Sequence, residues 1–107
     1  MALLLIHASF QLFGQQRRFV HIDARQGLSH AHVKAIYRDK SGFLWIGTES
    51  GLNRFDGYAI KVFRNDASDP ASLFDDDIAA LFEMPSGKMG VITSLGPCVY
   101  DPATETF

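Results

Sequence analysis

A few side chains in this 107-residue sequence have types and spacings that could do chemistry. His30-Ala31-His32 would put two imidazoles on one face of an extended segment, the beginning of a metal pair. Zinc sites need at least three protein ligands, and no third ligand follows at a recognisable spacing, so solvated loop histidines are expected. Asp75-Asp76-Asp77 could attract a hard cation such as calcium. Calcium loops carry a turn glycine among their ligands, and none accompanies these acids, so a solvated acidic turn is expected. Ser29 stands beside His30, but no identifiable acid completes a triad. Trp45 could stack on a sugar; its place inside a run that is apolar on both alternating faces makes it core packing instead. Cys98 is the single cysteine, which excludes an intramolecular disulfide and a cysteine-based metal cluster and leaves a small buried hydrophobe. No catalytic residue, metal ligand or cofactor is expected, and the residues that would bind a ligand stay unassigned.

The elements that hold these residues follow from composition and pattern. With 47% apolar residues and a net charge of −2, the chain can form a packed core. It has no basic excess for nucleic acid and no basic amphipathic stretch for a membrane surface. Residues 1–14 begin with the apolar run Ala2 to Ile6, continue through Ala8, Phe10, Leu12 and Phe13, and stop at Gly14 before Gln15-Gln16-Arg17-Arg18. Such a segment reads as the apolar region and cleavage site of a signal peptide, shortened at its start because no basic residues precede it. It is too short to span a bilayer. Residues 15–26 are expected to be a lead-in strand region.

From Gly27 onward the chain is patterned for β-structure. Val33 to Arg38 is rich in β-branched and aromatic residues and ends in Asp39-Lys40-Ser41-Gly42, a tight turn with Asp capping it and Gly supplying positive φ. Phe43 to Thr48 is the strongest strand. After Glu49-Ser50-Gly51 comes Leu52 to Phe55; Asp56-Gly57 signals a two-residue hairpin, and Tyr58 to Phe63 makes a fourth strand. Phe43-Leu44-Trp45-Ile46 is apolar on both faces, which requires a sheet packed between two layers. Lys61 and Arg64 suit a partly wet edge.

Shifting the sequence by 45 positions superimposes Leu28 on Leu73, Ala35 on Ala80, Gly42 on Gly87, Thr48 on Thr93, Gly51 on Gly96 and Asp56 on Asp101. Conservative pairs include Val33 with Ile78, Tyr37 with Phe82, Ile46 with Val91 and Phe55 with Tyr100. The matches fall on turn glycines and core positions, and the period suits one four-stranded propeller blade. Residues 72–82 also have a helical reading, an N-cap Ser72 followed by acids in a first turn. The repeat favours loop then strand, because Val33 to Arg38 has no helical signature. The expected fold is all-β: a partial β-propeller of about two four-stranded antiparallel blades in an incomplete ring. Residues 27–71 hold the first blade repeat with its linker, and residues 72–107 a degenerate second.

Gly27-Leu28-Ser29, Val33-x-x-Ile36, Asp39-x-x-Gly42-Phe43-Leu44-Trp45-Ile46-Gly47-Thr48 and Gly51-Leu52-Asn53-Arg54-Phe55-Asp56-Gly57 together resemble the two-component regulator propeller repeat. Asp69-Pro70-Ala71-Ser72-Leu73 resembles that family's link to a following blade. The second copy departs from the pattern, with Gly90-Val91-Ile92-Thr93 in place of Trp45-Ile46-Gly47-Thr48, and with Pro97 and Cys98 in place of Leu52 and Asn53.

The resemblance implies the N-terminal fragment of an extracytoplasmic or periplasmic sensor propeller, exported and belonging to a hybrid two-component sensor kinase. It also implies a glycan or oligosaccharide ligand bound through the complete propeller, further blades missing from this chain, and a homodimeric parent. Kinase chemistry would belong to other sequence, since no nucleotide motif or phospho-acceptor box is present here. Two readings of other classes stay open: a fragment of a propeller lyase or hydrolase, and a scaffold in which several copies assemble blades.

Overall fold

The structure is a computed structural model that describes residues 27–30 and 32–107. The expected signal peptide and lead-in strand, residues 1–26, lie outside the described residues. Seven strands follow in order: β1 (Val33–Arg38), β2 (Leu44–Thr48), β3 (Gly51–Phe55), β4 (Ile60–Phe63), β5 (Ile78–Glu83), β6 (Met89–Thr93) and β7 (Gly96–Tyr100). They form two antiparallel meanders, β1-β2-β3-β4 and β5-β6-β7. The helical reading of residues 72–82 gives way to a loop and a strand, because β5 recovers its backbone hydrogen bonds from β6. β5, β6 and β7 each begin 45 residues after β1, β2 and β3. Even the irregularity in the first ladder, between Val33 and Ala35, recurs between Ile78 and Ala80.

Two hairpins show why the repeat is so regular. The turn after β1 is closed by the Gly42 N–H donating to the Asp39 carbonyl (3.1 Å), and its partner after β5 by Gly87 donating to Met84 (2.9 Å). Both glycines have positive φ, 94° and 87°, which a side chain would oppose. The β3–β4 hairpin differs from its sequence expectation. Phe55 pairs with Ile60, so the connection is four residues, not two. The Asp56 carboxylate accepts the N–H groups of Tyr58 (2.8 Å) and Ala59 (2.9 Å), an Asx-type turn that outcompetes the tight Asp-Gly form. These bonds, Ala59 first, hold the Asp56 carboxyl below its ordinary pKa.

The second sheet has three strands where four were expected. A single antiparallel bridge between Asp101 and Thr106 follows β7 and opens the next hairpin. Its register places Phe107 opposite Tyr100, as Ile60 is opposite Phe55 in the first sheet.

Alternation along the strands sorts side chains onto faces, and both faces of the first sheet are apolar. Leu44, Ile46, Phe55, Val33 and Leu28 make one core on its outer side. Trp45, Leu52 and Phe63 point the other way and merge with Leu73, Ile78, Met89, Val91 and Tyr100 of the second unit into a larger core. All of β2 is buried, as a strand between two layers must be. The two sheets therefore pack face to face as consecutive blades, with β1 and β5 as neighbouring first strands.

Gly47 allows that closeness. A Cβ there would stand 2.5 Å from Cγ2 and 2.9 Å from Cβ of Ile78. The glycine leaves a hollow in the first sheet that the first strand of the second sheet fills.

Candidate functional site

The ends of the first strands carry most of the polar side chains that sequence reading singled out. At the end where β1 and β5 begin, His32 Nδ1 pairs with the Glu49 carboxylate, from the β2–β3 turn. The equivalent position in the second blade is Asp77, and it pairs with the equivalent turn: Ser94 Oγ donates to Asp77 Oδ2 (2.7 Å). Lys34 reaches from the first blade to Asp77 Oδ1 at 2.7 Å. The bonds from Lys34 and then Ser94 hold the Asp77 carboxyl below its ordinary pKa, and the Asp77 partner raises the pKa of Lys34.

The histidine pair and the acidic run do not behave as their spacing suggested. His30 Nδ1 accepts the His32 backbone N–H (3.0 Å) while the His32 ring turns to Glu49, so the two imidazoles are committed to different partners. The three aspartates splay apart. Asp75 accepts the backbone N–H of Asp77 (3.2 Å), Asp76 accepts that of Asn65 (2.6 Å), and Asp77 joins Lys34 and Ser94. The acidic turn is thus a set of loop and inter-blade fastenings rather than a freely solvated run. Among the described residues, no group of three or more His, Cys, Asp or Glu is arranged to hold a metal ion.

Beneath this rim lies a buried polar knot. Asn53 Oδ1 accepts the Ser29 N–H (2.9 Å), while Asn53 Nδ2 donates to Ser29 Oγ (2.9 Å) and the Ile46 carbonyl (2.9 Å). Thr48 Oγ1 donates to the Gly51 carbonyl (3.0 Å), so the Ser29 hydroxyl is the donor in their 2.8 Å contact. Ser29 therefore serves structure, not nucleophilic chemistry. Sequence reading missed the role of Asn53; the available signal was an amide inside a strand with apolar neighbours.

At the opposite end, Trp45 is core, 1% exposed, with Nε1 donating to Asp39 Oδ2 (2.8 Å). Its ring meets Tyr100 at 4.8 Å and Phe63 at 5.6 Å. A cavity of about 60 Å³ opens beside it, lined by residues that include Tyr37, Asp39, Lys40, Glu83 and Tyr100. That volume suits water, not a sugar ring, since ligand pockets run to some 300 Å³ or more. Burial raises the pKa of both tyrosine hydroxyls. Burial likewise raises that of the half-buried Cys98 thiol, which disfavours the reactive thiolate.

The seam between the blades has a polarity that no short motif announced. Lys34, Lys40, Arg54 and Lys61 of the first unit pair with Asp77, Glu83 and Glu105 of the second. Arg54 also donates to the Tyr100 hydroxyl (3.2 Å) and lies 4.7 Å from the centre of the Phe43 ring. Glu105 gathers Lys61 and Arg54, and those bonds, Lys61 first, hold its carboxyl below the ordinary value. Cations sit on one blade and anions on the next.

Two antiparallel meanders, repeated in register and packed face to face, define this as β-propeller architecture. The family described as two component regulator propeller matches residues 27–50, from Gly27 through β1 and β2 to the turn before β3, and the chain carries that family's repeat. Over 57 residues it is 46% identical to "Histidine kinase P4" of Formosa agariphila, covering 53% of this chain and 4% of that protein. Among solved structures it is similar to an extracellular domain assigned to the hybrid two component system BT3049 of B. thetaiotaomicron: TM-score 0.74, 30% identity, 82% of this chain and 12% of that one. It is also similar to an extracellular domain assigned to the one component system BT4673 of the same organism: TM-score 0.59, 25% identity, 69% of this chain and 11% of that one. The chain spans a small fraction of each.

Proposed function

We propose that this chain is part of the extracytoplasmic sensing propeller of a two-component signalling protein and that the complete propeller binds a glycan. The observation that carries the reading is the 30% identity and 0.74 TM-score with a sensor extracellular domain across 82% of the chain. The histidine kinase relative supports a parent that couples the propeller to phosphoryl transfer. In this role the chain itself is non-catalytic. The rim of Lys34, Glu49, Asp77 and Ser94 supplies hydroxyl-binding groups of both signs at the ends of the first strands, where loops from several blades would converge. The parent acts as a homodimer, and glycan binding shifts the packing of propeller against propeller.

Two experiments test this reading. Alkaline phosphatase fused after Phe107 should be active in intact cells, because that enzyme works only when exported; an inactive, stable fusion contradicts the location. Calorimetric titration of the parent's propeller region with a panel of oligosaccharides should give saturable heat for at least one. No binding to any sugar, with binding to a non-sugar metabolite, contradicts glycan sensing.

A further inference from the structure

The two blades present equivalent faces in opposite circumstances. The first blade's face bearing Trp45, Gly47, Leu52 and Arg54 carries the second blade. The corresponding face of the second blade, Ala80, Phe82, Ile92, Pro97 and Val99, is open: Phe82 is 45% and Val99 39% exposed. The shift of 45 positions replaces Lys34, Lys40 and Arg54 with Ala79, Pro85 and Val99, so these three cations are lost, while Phe43 gives way to Lys88, which stands 3.9 Å from the Asp101 carboxylate. It also replaces Gly47 with Ile92, filling the hollow that receives Ile78. Trp45 becomes Gly90, and the Phe82 ring lies back over that glycine, where any Cβ would overlap it. The open face is therefore apolar at its centre, with the Lys88–Asp101 pair at its edge, and without a hollow.

We propose that this face is the seat of a third blade, joined chiefly by apolar packing, and that the third blade carries a small residue, Ala or Gly, where the second carries Ile78. Continuity with the first seam names the occupant, because the same face one repeat earlier holds the next blade. Charge shapes its chemistry, since an acidic rim like that of Asp77 and Glu83 would find Ala79 and Pro85 in place of the lysines that meet those acids in the first seam, and Lys88 already stands beside Asp101. Sterics set its size, since a β-branched side chain that needs a glycine opposite it cannot approach Ile92 as closely. The proposal rests on the reading of the chain as part of a larger propeller.

The test is a single polypeptide of residues 27–107, then residues 61–71 to complete the fourth strand begun at Phe107, then residues 27–107 again. Val33 of the second copy stands where Ile78 does and is changed to Ala or to Ile. The Val33→Ala version should unfold roughly 5 °C above the Val33→Ile version. Val99→Lys in the first copy should abolish that advantage, whereas the same change in the terminal copy should not. Equal or reversed melting temperatures overturn the size rule, and equal effects of Val99→Lys in both copies overturn the seat. If neither version melts above the single chain, the propeller reading of this face fails with the proposal. If sedimentation shows association between molecules instead of packing within one, the occupant is a second copy and the proposal is overturned.

Discussion

The first and second blades have one backbone and two fillings. Their first three strands, the turns between them and the ladder irregularity coincide at a spacing of 45 residues. What differs is a linked set of side chains. Trp45 and the Asp39 carboxylate that receives its indole N–H are lost together, as Gly90 and Met84. The Ser29–Asn53 knot becomes Phe74 and Cys98. Arg54, wedged among aromatic rings, becomes Val99. The features that bend the backbone persist in both: Gly42 and Gly87, Gly51 and Gly96, and the hydroxyls of Thr48 and Thr93, each donating to the carbonyl three residues on, and with them a few shared side chains such as the buried Leu28 and Leu73. The comparison teaches that turn geometry defines the blade, while each core is refilled according to what lies against it.

The contrast breaks most visibly at the aromatic positions. Trp45→Ala should lower the unfolding free energy by about 3–5 kcal/mol, as removal of a fully buried aromatic does. Phe82→Ala, on the open face, should lose only about 1 kcal/mol, because part of that ring is already in water. Chemical denaturation compares the two directly, and similar losses would mean that the faces are not as different as they look.

A smaller effect is expected at the buried amide. Asn53→Ala should cost about 1–3 kcal/mol, since it leaves the Ser29 N–H without its partner. Cys98→Ala, at the equivalent place in the second blade, should cost under about 1.5 kcal/mol, because no comparable knot depends on the thiol. The melting temperatures of the two variants check the ordering.

The smallest effect is electrostatic. Asp77 and Glu105 have folded-state pKa values below their ordinary ones. Their contribution is present above the unfolded-state pKa, near pH 4, and disappears as pH falls through the folded-state values. Hydrogen exchange should therefore show faster opening of the seam below about pH 4 and, more weakly, in high salt at neutral pH. A seam whose protection is unchanged by acid would show that its ion pairs contribute nothing.

Much of the fold could be read from sequence. The bounds of β1, the Asp39–Gly42 turn, the burial of both faces of β2 and the partly wet β4 edge follow from local chemistry and the 45-residue offset. The helical spacing of Phe74, Ile78, Leu81 and Phe82 misleads only when taken without the repeat. The β3–β4 hairpin was read too tightly, because the Asp56 side chain competes with the backbone turn in a way that the Asp-Gly pair alone does not reveal. The inter-blade pairs were not legible. Lys34 meets Asp77 and Arg54 meets Glu105 across 43 and 51 positions, and those partnerships depend on how one sheet is offset against the next. The fate of the aspartate run was hidden for the same reason.

The central claim is that the two sheets are consecutive blades locked by Ile78 entering the space above Gly47. A double-mutant cycle of Gly47→Ala and Ile78→Ala tests it most directly, with unfolding free energies measured for the four proteins. Each single change should destabilise, the first by crowding Ile78 and the second by emptying the hollow. Together they should lose at least about 1 kcal/mol less than the sum of the two. Strict additivity would contradict the account, because it would mean that the two residues do not meet across the seam.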